Sequence, residues 1–444
     1  MSTFDKYFTE FLEAVESGNS IPALIKASRD YSGYIRQAAI ARVLELGHPE
    51  FLPAIAARLN DWVPQVRDAA RLALLTLLPA MPQDAVLAIL PAIAGLRDAG
   101  RHDHAQWLET FERVLLQHFE PQFFADGALG GKTKVARACF DLIVRRSIID
   151  PASAIQIGLT SNDIANGVRA SHAIGKLASD ERETLYKIAL LSRFGAVRAV
   201  GLRGYLHGAA CPGKYQTATD SLLDMQSTVR AVAMAWLAAN HGDARAYYRQ
   251  VLKSPTSSTL HLRISLAALC TFRQRDDVGL VTTFVSHQII AVRAAAYAAW
   301  LRLAEDDKDQ IALRALGENS ERVKKLAMEM VDRHGAYIPF ATACAVLNDP
   351  HDWRRLMRLG GNGKWDALEA IVRIAPSANK HRRAQLQSEL ISWMILALPY
   401  ARPTAAQAAF LRSDEAHAAL WSLAGRDIGD HVERELRAAL AQRG

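Results

Sequence analysis

Cysteine is sparse and scattered in this chain of 444 residues: Cys139, Cys211, Cys270 and Cys344 lie far apart in sequence. That spacing excludes a disulfide framework and a CxxC metal site, and it points to a reducing compartment. Long apolar runs are missing too. The longest near the C-terminus, Leu390 to Ala401, is bounded by Glu389 and Arg402 and falls short of the ~18 residues that span a bilayer. Residues 1–10 carry Asp5, Lys6 and Glu10 among aromatics, without the basic and then apolar blocks of a secretory leader. These absences predict a soluble, cytoplasmic protein. Aromatics supply only 7% of the residues, yet half the chain is hydrophobic and 22% charged, which is enough to bury a large core and excludes a disordered tail.

What is present is an internal repeat, the feature to seek before any other. An aliphatic residue followed by a basic one recurs at Ile35-Arg36, Val66-Arg67, Val168-Arg169, Val197-Arg198, Val229-Arg230, Leu262-Arg263, Val292-Arg293 and Val323-Lys324. The first step is 31 residues, and from Val168 onward the steps are 29, 32, 33, 30 and 31. A degenerate copy stands at Val135, with Arg137 displaced by one, and the missing member falls near Arg101 to Ala105. An acid often precedes the basic residue by six: Asp30, Asp61, Asp163, Asp224 and Glu318. Prolines such as Pro22 and Pro53 stand eight residues before that acid. Between these marks the apolar spacing is helical, as in Ile35, Ala38, Ala39, Val43 and Leu46.

At Pro22, Asp30, Ile35, Arg36 and Ala39, and at their counterparts in the next copy, the sequence resembles the HEAT-repeat family, including its short relatives in bilin lyases. The resemblance covers about residues 20–335. It implies an all-α, right-handed α-solenoid superhelix of about ten antiparallel helix pairs, first helices on the convex side and second helices on the concave side. It also implies that the repeat acid and arginine form a ladder between neighbouring repeats. First helices are expected near Ile21–Ser28, Phe51–Leu59, Ala85–Leu96, Pro121–Leu129, Ala152–Leu159, Arg182–Ser192, Tyr215–Leu223, Ala244–Lys253, Val278–Val285 and Gln310–Leu316. Beyond Gly335 the pattern frays. Gly360, Gly361 and Gly363 interrupt it, and helices near Gln385–Leu398 and Asp430–Gln442 read as a cap. The expected organisation is therefore a repeat array over 1–335 and degenerate repeats with a helical cap over 336–444.

Candidate chemistry fares less well. The segment GALGGKT, Gly127 to Thr133, has the flavour of a phosphate loop but the wrong glycine spacing and no preceding strand, so it reads as a turn before a second helix. His102, Asp103 and His104 alternate around a helix start and cannot converge on zinc, so they read as a solvated turn. Asp306, Asp307 and Asp309 lack the closing glutamate of a calcium loop and read as a helix cap. No His-Glu dipeptide occurs, which removes the paired signature of the di-iron hydroxylases built on this type of repeat. Trp236, Trp300, Trp393 and Trp421 sit in Ala-rich helices and read as core. No cofactor or metal is indicated.

Charge is the informative feature. There are 53 Lys and Arg against 46 Asp and Glu, an excess of 7, but the excess is not uniform. Residues 193–275 carry eleven basic residues against three acids, and 353–383 carry eight against two. Arg198, Arg230 and Arg263 hold the repeat position and are set aside as structural. The remaining first island is Arg193, Arg203, Lys214, Arg245, Arg249, Lys253, Arg273 and Arg275, with Arg245, Arg249 and Lys253 forming a stripe on one helix. The second island is Arg354, Arg355, Arg358, Lys380, Arg382 and Arg383. Together they are the expected partner- or polyanion-binding residues.

The sequence is thus read as a non-enzymatic scaffold, docking a protein partner on an extended α-solenoid surface within a bacterial multi-protein complex. The Ala and Arg richness suits a GC-rich bacterial source. The alternative is nucleic-acid binding through the two islands, with an alkylpurine DNA glycosylase-like enzyme as a minor reading that matches none of its catalytic positions here.

Overall fold

The computed structural model describes residues 3–208, 213–347, 350–361, 363–395 and 401–441. Cys211 and the expected helical positions 396–398 and 442 lie outside the described residues. Among the described residues the chain forms 28 α-helices and no strand. Among the described residues no helix is long and apolar enough to cross a membrane. The chain packs as two compact units, 1–242 and 243–444.

Within the first unit the expected first helices appear as Ile21–Ala27, Leu52–Ala56, Gln83–Ala94, Pro121–Gly130, Pro151–Thr160, Ser179–Leu190 and Lys214–Ser221. Their second helices are Gly33–Leu46, Pro64–Leu77, Ala105–His118, Thr133–Arg146, Ile164–Ala173, Gly195–His207 and Ser227–Ala239. Ala105–His118 supplies the member that the sequence pattern lacks. Proline opens several helices where its missing N–H costs nothing, at Pro64, Pro121 and Pro151. Asp150 and Asp163 cap helices by accepting from backbone N–H groups. Gly47 ends Gly33–Leu46 in the left-handed conformation, at φ 62°.

Small residues let successive pairs approach. At Gly158 a Cβ would lie 2.6 Å from the Ala170 Cβ and 2.6 Å from the Phe140 ring. Alanine would gain up to about 1 kcal/mol of helix propensity at this position. The clash costs about 1–3 kcal/mol, so Gly158→Ala is expected to be net destabilising and to lower the urea midpoint of the first unit. A raised midpoint would show that the stack can part without strain.

The acid and the arginine of the repeat do two separate jobs, which explains their spacing of six. The acid holds its own turn: Asp30, Asp61, Asp163 and Asp224 each accept from the backbone N–H two residues later, at 2.7 to 3.0 Å. Its carboxylate then receives the arginine of the preceding repeat. Arg36 pairs with Asp61 at 2.7 Å, Arg137 with Asp163 at 3.0 Å, and Arg198 with Asp224 at 2.7 Å. The arginine also donates back to the carbonyl six residues before it, as in Arg36 to Asp30, Arg67 to Asp61 and Arg230 to Asp224. Each turn is therefore tied to its own second helix and to its neighbour.

The second unit repeats the plan. First helices Ala244–Lys253, Val278–Thr282 and Lys308–Leu316 alternate with second helices Thr259–Leu269, Ile290–Leu303 and Glu321–His334. Arg293 pairs with Glu318 at 3.1 Å, and Lys324 with Asp352 at 2.5 Å. Gly335 stops Glu321–His334 at φ 61°. Beyond it, Trp353–Gly360 packs on Lys364–Ile374, followed by Lys380–Ile395, Ala405–Leu411, Asp414–Ala424 and Arg426–Ala441. Lys364 joins these elements: its ammonium lies 5.1 Å from the Trp393 ring centroid and 3.3 Å from Glu435.

Candidate interaction surface

The structure redistributes the predicted islands. The stripe on Ala244–Lys253 is partly neutralised, because Arg245 and Arg249 share the single carboxylate of Asp277, donating to its opposite oxygens at 2.9 and 2.5 Å. Asp277 itself is fully buried. Lys253 alone of that stripe has no acidic partner among the described residues. Lys214 is not a surface group at all. It is 8% exposed and its ammonium donates to the carbonyls of Leu206 and Gly208 at 3.0 and 2.9 Å. Arg275 reaches Asp306 and Asp307, at 3.5 Å each. Arg193 lies over the Phe194 ring and donates to Asn162, while Arg203 and Arg273 are exposed.

The second island divides as well. Arg355 pairs with Glu321 at 2.7 Å and with Asp352, and Arg358 pairs with Asp332 at 2.8 Å. Arg383 donates to Ser422 at 3.1 Å, and Lys380 is exposed. Arg354 and Arg382 converge, since both guanidiniums stack on Trp353, with their carbons 5.3 and 4.9 Å from its ring centroid.

A different set of basic groups is brought together on the second helices. A groove of about 380 Å³ runs across Ile290–Leu303, with Ala291, Ala294, Ala295 and Ala298 as its floor. Arg263 stands on one side, and Arg322, Lys325 and Glu329 on the other. Arg263, Arg322 and Lys325 are exposed and have no ion-pair partner among the described residues. Arg263 thus departs from the structural role expected of it, for a local reason. In the ladder an arginine pairs with an acid 25 or 26 residues on, as Arg293 does with Glu318 and Arg198 with Asp224. The corresponding turn here carries His287. Its Nδ1 accepts from the Ile289 N–H at 3.1 Å, so it keeps the turn but offers no carboxylate.

The buried carboxylates and thiols among the described residues offer no free chemistry. Each fully buried carboxylate, Asp61, Glu112, Asp163, Asp277, Asp352 and Glu369, is ion-paired with Arg or Lys. Burial raises the Cys139 thiol to about 12, and burial with the nearby charge of Glu369 raises Cys344 to about 12, so neither is a thiolate near neutrality. His104, expected in a solvated turn, is instead 3% exposed. Its ring bridges Arg71 at 3.0 Å and Asn60 at 3.2 Å. Burial, and then the charge of Arg71, holds its pKa below the ordinary histidine value. Gly131 and Lys132 form the turn between Pro121–Gly130 and Thr133–Arg146, close to the expected turn at Gly130 to Thr133. No group of three or more His, Cys, Asp or Glu among the described residues could hold a metal.

No family model matches the chain, and no curated protein does. Among solved structures it is similar to Kap121p, at 14% identity over 98% of this chain and 47% of that one, with a TM-score of 0.24. It is likewise similar to importin beta, at 12% identity over 90% of this chain and 61% of that one, with a TM-score of 0.27. YibA of Escherichia coli matches at 11% identity over 75% of this chain and 98% of that one, with a TM-score of 0.21. The chain spans about half the length of Kap121p and less than two thirds of importin beta. Its description as an all-α array of HEAT-like helix pairs rests on its own residues: the paired helices, the turns held by their acids, and the arginine ladder between them.

Proposed function

We propose that this chain is a non-enzymatic scaffold that docks an acidic segment of a partner protein in the groove over Ile290–Leu303, within a multi-protein complex of the bacterial cytoplasm. The observation that carries this reading is the set of three unpaired cations, Arg263, Arg322 and Lys325, around an alanine floor. The floor is shallow and apolar, which suits a peptide that alternates acidic and aliphatic side chains. The rim is positive, with Glu329 as its one acid, which steers such a segment and fixes its register. A nucleic acid is served less well, because it needs a continuous run of free cations, and in the stripe that would have supplied one Arg245 and Arg249 are tied to Asp277.

The test is a titration of a fluorescent peptide of Glu, Asp and Leu against the full chain and against R263E/R322E/K325E. Each rim contact is worth about 0.5–1 kcal/mol and becomes repulsive on reversal, so affinity should fall by at least about 30-fold. Binding should also weaken with added salt. Equal affinity in the triple variant would overturn the reading. So would an oligonucleotide that binds more tightly than the peptide and is unaffected by the three substitutions.

A further inference from the structure

A second site lies in the first unit, at the repeat that lacks the aliphatic-basic pair. Ala105–His118 carries Glu112 one turn beyond Leu108, at a place where the chain buries a carboxylate to 2% exposure. Three guanidiniums close on it. Arg145 donates to both of its oxygens, at 2.9 and 3.0 Å, Arg146 donates through Nε at 2.5 Å, and Arg97 completes the set. Asp141 is the second carboxylate of the cluster and takes Arg97, Arg145 and Arg169 at 3.3, 3.1 and 2.9 Å. Four guanidiniums thus share two carboxylates, which leaves two positive charges in excess.

A structural ion pair needs one arginine, and Arg145 alone already reaches both oxygens of Glu112. Three of these guanidiniums, Arg97, Arg145 and Arg146, open with Glu112 on a cavity of about 510 Å³. Arg146 is engaged only through Nε, so both terminal nitrogens of its fork remain for a ligand. All three arginines are about a third exposed, at 29, 32 and 33%, and so are reachable from solvent. Asp103 and Glu109 complete the lining as exposed carboxylates. They disfavour a polyanion at the mouth and leave room for a small molecule.

We infer that this cavity binds a small oxyanion, a carboxylate or phosphate group presented to the fork of Arg146 and the face of Arg97, with Glu112 as the residue that holds the arginines in place. Two planar acceptor oxygens match the guanidinium fork, and a cavity of this size is in the range that holds small ligands.

Inorganic phosphate and succinate are the two probes, each titrated into the full chain by calorimetry and followed by thermal unfolding, with sodium chloride at equal ionic strength as reference. At least one should bind saturably and raise the unfolding temperature where chloride does not. Which one binds distinguishes a phosphate ligand from a carboxylate ligand. Arg146→Ala should weaken that binding at least tenfold, and Arg146→Lys, which keeps the charge without the fork, should fall between. Absence of saturable binding by both probes would overturn the inference. So would unchanged affinity in Arg146→Lys and Arg146→Ala, since the ligand would then sit elsewhere.

Discussion

Asp61→Ala is expected to destabilise the first unit by about 3–5 kcal/mol, because it strips a buried guanidinium of the carboxylate that pairs with it. Arg36 is 2% exposed and has no route to water. Its Nε and Nη2 bond both oxygens of Asp61, at 3.0 and 2.7 Å, and its Nη1 is tied to the carbonyls of Asp30 and Tyr31. The ring of Trp62 lies over it at 5.5 Å. Without the carboxylate the charge stays in place and uncompensated, and the turn also loses the bond to the Val63 N–H. Asp61→Ala combined with Arg36→Met should recover much of the loss, since the penalty lies in the orphaned charge more than in the pair. Urea unfolding of the full chain, followed through the transition of residues 1–242, measures both. A loss under about 1 kcal/mol would mean that the ladder is ornamental.

Glu112→Ala is expected to cost less, about 2–3 kcal/mol, although Glu112 gathers three arginines and Asp61 chiefly one. The difference is access to solvent. Arg97, Arg145 and Arg146 are about a third exposed and can turn outward when the carboxylate is gone, whereas Arg36 cannot. The same residue sets a pH dependence. Burial alone would raise the Glu112 carboxyl, but hydrogen bonds from Arg145 and Arg146 and the charges of Arg145 and Arg97 hold it below its ordinary value of 4.5. A carboxyl depressed on folding contributes stability that is fully present above its unfolded value and is lost as pH falls through the folded one. Asp61, Asp163 and Asp224 act in the same sense below 3.8, each held down by its ladder arginine against the effect of burial. The first unit should therefore keep its stability from neutral pH to about 4.5 and lose it below. In Glu112→Ala the loss should begin lower, near 3.8. A variant that tracks the wild-type acid profile would show that Glu112 is not the carboxyl responsible.

Much of this architecture was legible because the repeat writes each contact at a fixed interval. Asp30, Arg36 and Asp61 already contain the ladder: the acid at the turn, the arginine six later and the next acid one repeat on. What escaped the sequence reading did so because charge was counted along the chain while the fold pairs it across repeats. The first basic island was counted to Arg275, two residues short of Asp277, the carboxylate that Arg245 and Arg249 share. Arg322 and Lys325 were hidden in residues 276–352, which carry eight basic residues against twelve acids, although several of those acids, Asp277, Glu318, Glu321, Asp332 and Asp352, are held by other cations. Arg263 could have been recognised as free by asking which residue occupies the next turn, where His287 stands. Lys214 gave no such signal, because only the fold shows that its ammonium caps two carbonyls at the end of Gly195–His207. The cluster at Glu112 was within reach, since Arg145 and Arg146 follow it by 33 and 34 residues, one repeat length.

The most direct test of the docking reading is hydrogen exchange on the full chain with and without the acidic peptide. Protection is predicted over Ile290–Leu303 and Glu321–His334, with the amides of Ala244–Lys253 unchanged, and it should vanish in R263E/R322E/K325E. Protection confined to Ala244–Lys253, or persisting in the triple variant, would contradict the account.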